Sequence, residues 1–258
     1  MSRFGQLEFD GQRDATVQRT HPPLADATRC LADATTAFGR GEFESALRWF
    51  GRVLEFDPLS IPAWTGQIRA LVELGQFKEA NVWADKALER FPKAADLLAA
   101  KAVSLGRLGR ADEAMPFSDA AVEQPGETPY VWLARGDVLI AAGQRQVDHC
   151  FDRALQLSGA DWLVRWMAAR IRAFWGQFAA ALKLAREAAE LAPDRFVTWL
   201  LAGECQAALG LNEAAQRSLH QALALEPTCR AAERALNDVR GEGWTSRFTK
   251  QVGRMFRD

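Results

Sequence analysis

Residues that usually carry chemistry are scarce in this chain of 258 residues: three histidines, one tyrosine and four cysteines. His21, His149 and His220 stand in no H-E-x-x-H or comparable metal spacing. His149 and Cys150 are adjacent, and on a helix they point about 100° apart, a poor arrangement for sharing a metal. Cys30, Cys150, Cys205 and Cys229 include no C-x-x-C pair. A chain of this length builds a core without staples, so they read as idle thiols in a reducing compartment. There is no G-x-S-x-G, no P-loop, no G-x-G-x-x-G behind a strand and no strand alternation. Carboxylate pairs such as Glu187/Glu190 fall at solvated helix positions. Nothing here supports an enzyme, a cofactor or a metal site.

Charge of one sign is missing too. Lys and Arg total 32 against 33 Asp and Glu, a net charge of −1. General nucleic-acid binding, which rests on neutralising phosphates, is therefore not expected. No apolar run approaches the roughly 18–20 residues that span a bilayer. The opening residues, MSRFGQLEFDGQRD, lack the apolar stretch of a secretory signal, so the chain reads as cytoplasmic. With 48% hydrophobic residues, it has enough apolar surface to fold.

What the sequence does have is a period. Gly41, Gly75, Gly109, Gly143, Gly176 and Gly210 are spaced by 34, 34, 34, 33 and 34 residues. Five residues after each come Ala46, Ala80, Ala114, Asp148, Ala181 and Ala215. Val53, Ala87, Ala121, Ala188 and Ala222 follow twelve residues after the glycine, with Ala154 after eleven, and Pro58, Pro92, Gly126, Pro193 and Pro227 after seventeen, with Gly159 after sixteen. Segments such as 63–74 and 77–90 carry apolar residues at helical spacing, so each unit reads as two antiparallel helices. The glycine sits just past the first helix, where a left-handed residue is least strained. Small residues on one face of the second helix let two helix backbones approach closely. The closing proline ends the unit. Ser60, Thr128 and Asp194 read as start signals for the next.

A helix–turn–helix of this length, with Trp64, Trp132 and Trp199 eleven residues before the glycine and Gly136 and Gly203 seven before it, resembles the tetratricopeptide repeat. The resemblance covers 27–227 and implies an all-α, right-handed solenoid of about six repeats: 27–60, 61–94, 95–128, 129–161, 162–195 and 196–229. Two departures stand out. The first unit has Cys30 and Ala34 where the family usually shows Trp or Leu and Gly. The fourth is one residue short between Gly143 and Ala154, which moves Val147 into the small-residue register and pushes Asp148 outward. A tightened turn and a local change of superhelical pitch are expected there.

A solenoid needs caps. Ala231, Ala232, Ala235, Leu236 and Val239 form one stripe, which predicts a capping helix over 230–240. Beyond it, 241–258 reads as a basic amphipathic C-terminal helix. Trp244, Phe248 and Phe256 lie on one side, with Arg247, Lys250 and Arg254 opposite. It would contact a partner, an anionic membrane surface or the array itself. Residues 1–26 read as a leader.

In this family the first helices line a concave groove. Carried over by register, the groove holds Arg69, Tyr130, Leu133, Asp137, Trp166, Met167, Arg170 and Glu204. The Lys, Asn and Arg clamp by which some members hold acidic C-termini is absent; the matching places hold Leu31, Ala32, Thr35, Thr65 and Gly66. The groove is therefore apolar with a few charges of both signs, which favours an amphipathic or extended apolar peptide. Trp166 reads either as an interface anchor or as packing with Trp162. A row of Trp49, Trp83 and Phe117 on the second helices reads as inter-repeat packing or as a patch for self-association. The resemblance points to a non-catalytic scaffold or adaptor with a protein or peptide partner. A holder of apolar clients, a self-assembling scaffold and a membrane-recruited one are the rival readings.

Overall fold

The computed structural model describes residues 23–241, and among them the regular structure is thirteen helices. They run in pairs: α1 (Pro23–Gly39) with α2 (Phe43–Phe56), α3 (Ile61–Glu73) with α4 (Phe77–Arg90), and α5 (Ala95–Arg107) with α6 (Ala111–Glu123). Then come α7 (Pro129–Ala141) with α8 (Asp148–Ser158), α9 (Trp162–Phe174) with α10 (Phe178–Leu191), and α11 (Phe196–Ala208) with α12 (Asn212–Leu225). A last helix, α13 (Arg230–Arg240), lies on α12 and α11 and buries Ala232, Ala235, Leu236 and Val239. This is an all-α solenoid with a terminal cap. The first helix starts at Pro23, inside the stretch read from sequence as leader. The C-terminal contact residues Trp244, Arg247, Phe248, Lys250, Arg254 and Phe256 lie outside the described residues.

The recurring small residues are where helices meet. Ala46, Ala80, Ala87, Ala114, Ala154, Ala181, Ala188, Ala215 and Ala222 are wholly buried. A Cβ on Gly136 would stand 2.8 Å from the Phe151 ring, so α7 and α8 touch through a missing methyl. At each inter-helix turn the glycine takes a positive φ, as at Gly75 with φ 73°, while the Gln76 amide reaches back to the Leu71 carbonyl at 2.9 Å.

A polar joint seals unit to unit. The residue eleven before the turn glycine donates to the carbonyl six residues upstream: Trp64 to Pro58 at 3.0 Å and Trp199 to Pro193 at 2.9 Å. Arg165 replaces tryptophan in the fifth unit and donates to Gly159 at 2.6 Å. Trp132, with Gly126 instead of a proline six residues upstream, has no partner for its indole N–H among the described residues. Ion pairs add a second recurring link. Lys101 of α5 reaches Asp85 of α4 at 2.6 Å, and one period later Arg135 of α7 reaches Asp119 of α6. The aromatic row joins this packing. Trp83 lies 5.7 Å from Trp64, and Lys101 lies over Phe117.

Two local expectations are corrected. The turn of the fourth unit is longer, not tighter: α8 starts five residues after Gly143, whereas α4 and α6 start two after their glycine. Losing one residue would rotate every following side chain by about 100° on a continuing helix. The chain instead leaves the first turn of α8 unwound. That keeps Val147 buried as a non-helical residue and Asp148 outside, paired with Arg172. Asp194 is not a cap; Arg195 holds that position in α11, whereas Thr128 and Asp161 do cap α7 and α9 with their side chains.

Two alanine substitutions test this packing. Gly136→Ala is expected to lower stability by about 1–3 kcal/mol through overpacking against Phe151. Gly51→Ala, mid-helix with open space around it, is expected to raise it by about 0.5–1 kcal/mol. Thermal unfolding of the two variants should show opposite shifts in Tm.

Candidate functional site

The eight groove residues sort into two clusters, because the array bends back on itself. Second helices generally pack closely on the next first helix, but α8 touches α9 sparsely. Beyond that loose joint, α9 turns toward the first two units. The Phe174 ring meets Phe77 edge-on at 6.0 Å. Phe43 stacks on Trp166 at 6.2 Å, and a Cβ on Gly41 would lie 3.3 Å from Val197 of α11.

The central cluster holds Arg69, Tyr130, Asp137 and Met167 around a space of about 20 Å³, room for about one water. The Arg69 guanidinium is sandwiched between Tyr130 at 4.3 Å and Phe38 at 4.9 Å, and its Nε has no hydrogen-bond partner among the described residues. Burial pushes the Tyr130 hydroxyl above its ordinary pKa, with Arg69 opposing. Asp137, 3% exposed, takes two donors from Arg107, at 3.0 Å from Nε and 2.8 Å from Nη2. It also accepts the Trp175 indole N–H at 2.6 Å. Arg107 in turn lies 3.5 Å from the Phe174 ring centroid. Leu133 belongs to neither cluster; it is buried in the helix core.

The seam cluster holds Trp166, Arg170 and Glu204. Trp166 is 1% exposed, and its indole N–H donates to the Val197 carbonyl at 3.2 Å. Arg170 lies over Phe43 and Trp166 and pairs with Glu73 of α3 through its Nε at 2.7 Å. A cavity of about 340 Å³ opens beside them. The turn from Arg40 to Phe43 forms one wall, and Phe196, Val197, Leu200 and Leu201 form the other. Cys229 and Ala231 stand at the start of α13, and Glu204 lines the space. Burial raises the Glu204 carboxyl above the usual carboxylate range, with Arg170 opposing.

The structure thus brings the register-derived residues together, but as an inner face largely filled by its own side chains. Trp166, read either as an interface anchor or as packing with Trp162, is buried and packs beside Trp162 at 6.3 Å as well as against Phe43. Glu73, Phe43 and Arg107 were missed in the sequence. Glu73 and Phe43 lie beside turn glycines, where position within a repeat gives no sign of a partner three or four units away. Among the described residues there is no group of three or more His, Cys, Asp or Glu placed to hold a metal, and no helix long and apolar enough to cross a membrane. Burial pushes the Cys150 and Cys205 thiols up to about 11 and about 12, while Cys229 is half-buried at the cavity.

No family model matches the chain, and no curated protein matches it closely in sequence. Solved structures do resemble it. A thermophilic tetratricopeptide-repeat protein of Thermus thermophilus, TTC0263, is 22% identical over 71% of this chain and 98% of its own, with a TM-score of 0.53. PilW, a type IV pilus biogenesis factor, is 21% identical over 81% of this chain and 98% of its own, with a TM-score of 0.50. Cut9–Hcn1 of the APC/C is 17% identical over 84% of this chain and 50% of that one, with a TM-score of 0.50. These likenesses show a tetratricopeptide-type fold.

Removing the Asp137 carboxylate strands the buried Arg107 charge. Asp137→Ala is therefore expected to cost about 3–5 kcal/mol, whereas Arg153→Ala, at its exposed pair with Glu127, should cost about 1 kcal/mol or less. Urea unfolding of the two variants checks the order.

Proposed function

We propose that this protein is a non-catalytic cytoplasmic interaction scaffold that holds an apolar or amphipathic segment of a partner protein at the seam of its array. One observation carries the reading. The inner face is filled by its own arginines and aromatics across units two to five, and the cavity of about 340 Å³ at the seam remains open and mostly apolar. That volume falls in the range of ligand sites, and its lining of Phe43, Trp166, Val197 and Leu200 with a few polar groups has the usual composition of one. An aromatic beside an arginine is also the common core of an interface hot spot. The segment 241–258, basic on one side and apolar on the other by sequence, supports a second contact.

Leu200→Arg places a charged stem across the cavity from a half-buried position. The variant is expected to keep its helicity by circular dichroism and to lose proteins that tagged wild-type chain retains from its own cells. Retention of the same proteins at the same yield would sink the assignment of the seam as the binding site.

A further inference from the structure

We propose that the seam cavity takes a Lys or Arg side chain, with an apolar neighbour, from a partner segment, and that the Glu204 carboxylate is its counter-ion. The inference rests on the seam being the binding site and names what it would recognise.

Charge balance carries it. Four charged side chains line the cavity: Arg40, Glu42, Arg170 and Glu204. Arg40 and Glu42 are exposed at the turn. Arg170 already pairs with Glu73, and its guanidinium covers the Phe43 and Trp166 rings. The cation position over those rings is therefore filled from within, and the Arg170 charge is matched. Glu204 is half-buried, lines the cavity and has no hydrogen bond or ion pair among the described residues. A half-buried carboxylate held without a donor is costly, and an incoming cation relieves that cost. The remaining walls are apolar, and so is the stem of Lys or Arg. About 340 Å³ accommodates such a stem and one adjoining apolar side chain. A small free amine would meet Glu204 but leave those walls uncovered, so a peptide segment fits better.

Cys229 reports on occupancy because it lines the cavity while Cys30, Cys150 and Cys205 are buried. The full-length chain is treated with a small aromatic disulfide reagent, and the rapidly reacting thiol is assigned by its loss in Cys229→Ser. Two capped peptides are then titrated, acetyl-Leu-Arg-Phe-amide and its citrulline counterpart, which keeps the shape and removes the charge. The arginine peptide is expected to slow the reaction, with the citrulline peptide at least about fivefold weaker. Glu204→Gln, of the same size and checked for unchanged helicity, is expected to bring the two peptides to equal affinity. Equal protection by both peptides in the wild type would overturn the role of Glu204 while leaving the seam as the site. No protection by either, in the full chain or in one ending at Gly241, overturns both readings. Protection only in the chain ending at Gly241 assigns the cavity to the chain's own 242–258 and overturns an external partner.

Discussion

A single buried carboxylate ties three consecutive units together where this array turns back on itself. Asp137 sits on α7, accepts Arg107 from the unit before it and Trp175 from the unit after it, and is all but inaccessible to water. Two charges are expensive to remove from solvent, and such a pair persists only when geometry and extra donors compensate. Here the compensation is visible: a forked Arg–carboxylate contact, an indole N–H on the same oxygen and an aromatic ring under the guanidinium. The Trp175 contact of Asp137 reaches across the joint where consecutive helices pack most sparsely, between α8 and α9. Where the repeat lost a residue, a polar node replaces the missing continuity.

From that bend follows the closure of the inner face. An array of evenly stacked pairs would present its first helices to solvent along a groove. Bent at the fourth unit, this one brings α9 against the turns of units one and two, and arginines fill the gap. The seam is held by side chains: a stacked Phe43–Trp166 pair worth about 0.5–1.5 kcal/mol, cation–π contacts of about 0.5–1 kcal/mol each and the Arg170–Glu73 ion pair, largely shielded from solvent. Together these are small beside the apolar burial between consecutive helices. A partner that needed the whole inner face would have to separate this seam, and its apparent affinity would fall by the fraction of molecules in the open form. Binding in the cavity already present avoids that loss.

The solenoid was legible in the sequence because its cause is local and repeated. A glycine permits a left-handed turn, an alanine permits close approach and a proline stops a helix, each in fixed register. The inter-unit links were legible in principle as well. Asp85 and Lys101 recur one period later as Asp119 and Arg135, but a pattern present twice is lost among ordinary surface charges. The bend was half legible. The missing residue in the fourth unit marked the place, yet the same deletion is compatible with a shorter turn or a frayed helix. The structure takes the second course, because burying Val147 matters more than keeping one helical turn. The seam was not legible at all. Arg170 and Glu73 are 97 residues apart, and no rule of period 34 pairs them.

Gly41 shows how a local rule comes to serve a tertiary one. Gly75, Gly109, Gly143 and Gly210 face open space where a side chain would begin, so backbone conformation is the sole reason for glycine at those turns. Gly41 has the same positive φ of 72° and, in addition, Val197 only 3.3 Å from the position of a Cβ. The residue that permits the turn also permits the turn to lie against α11. Its neighbours Arg40, Glu42 and Phe43 then become one wall of the cavity. The opposite wall is packed helix, so the two sides differ in kind: a rigid face made by core packing, and a turn held to it by the Phe43 ring against Trp166 and Arg170.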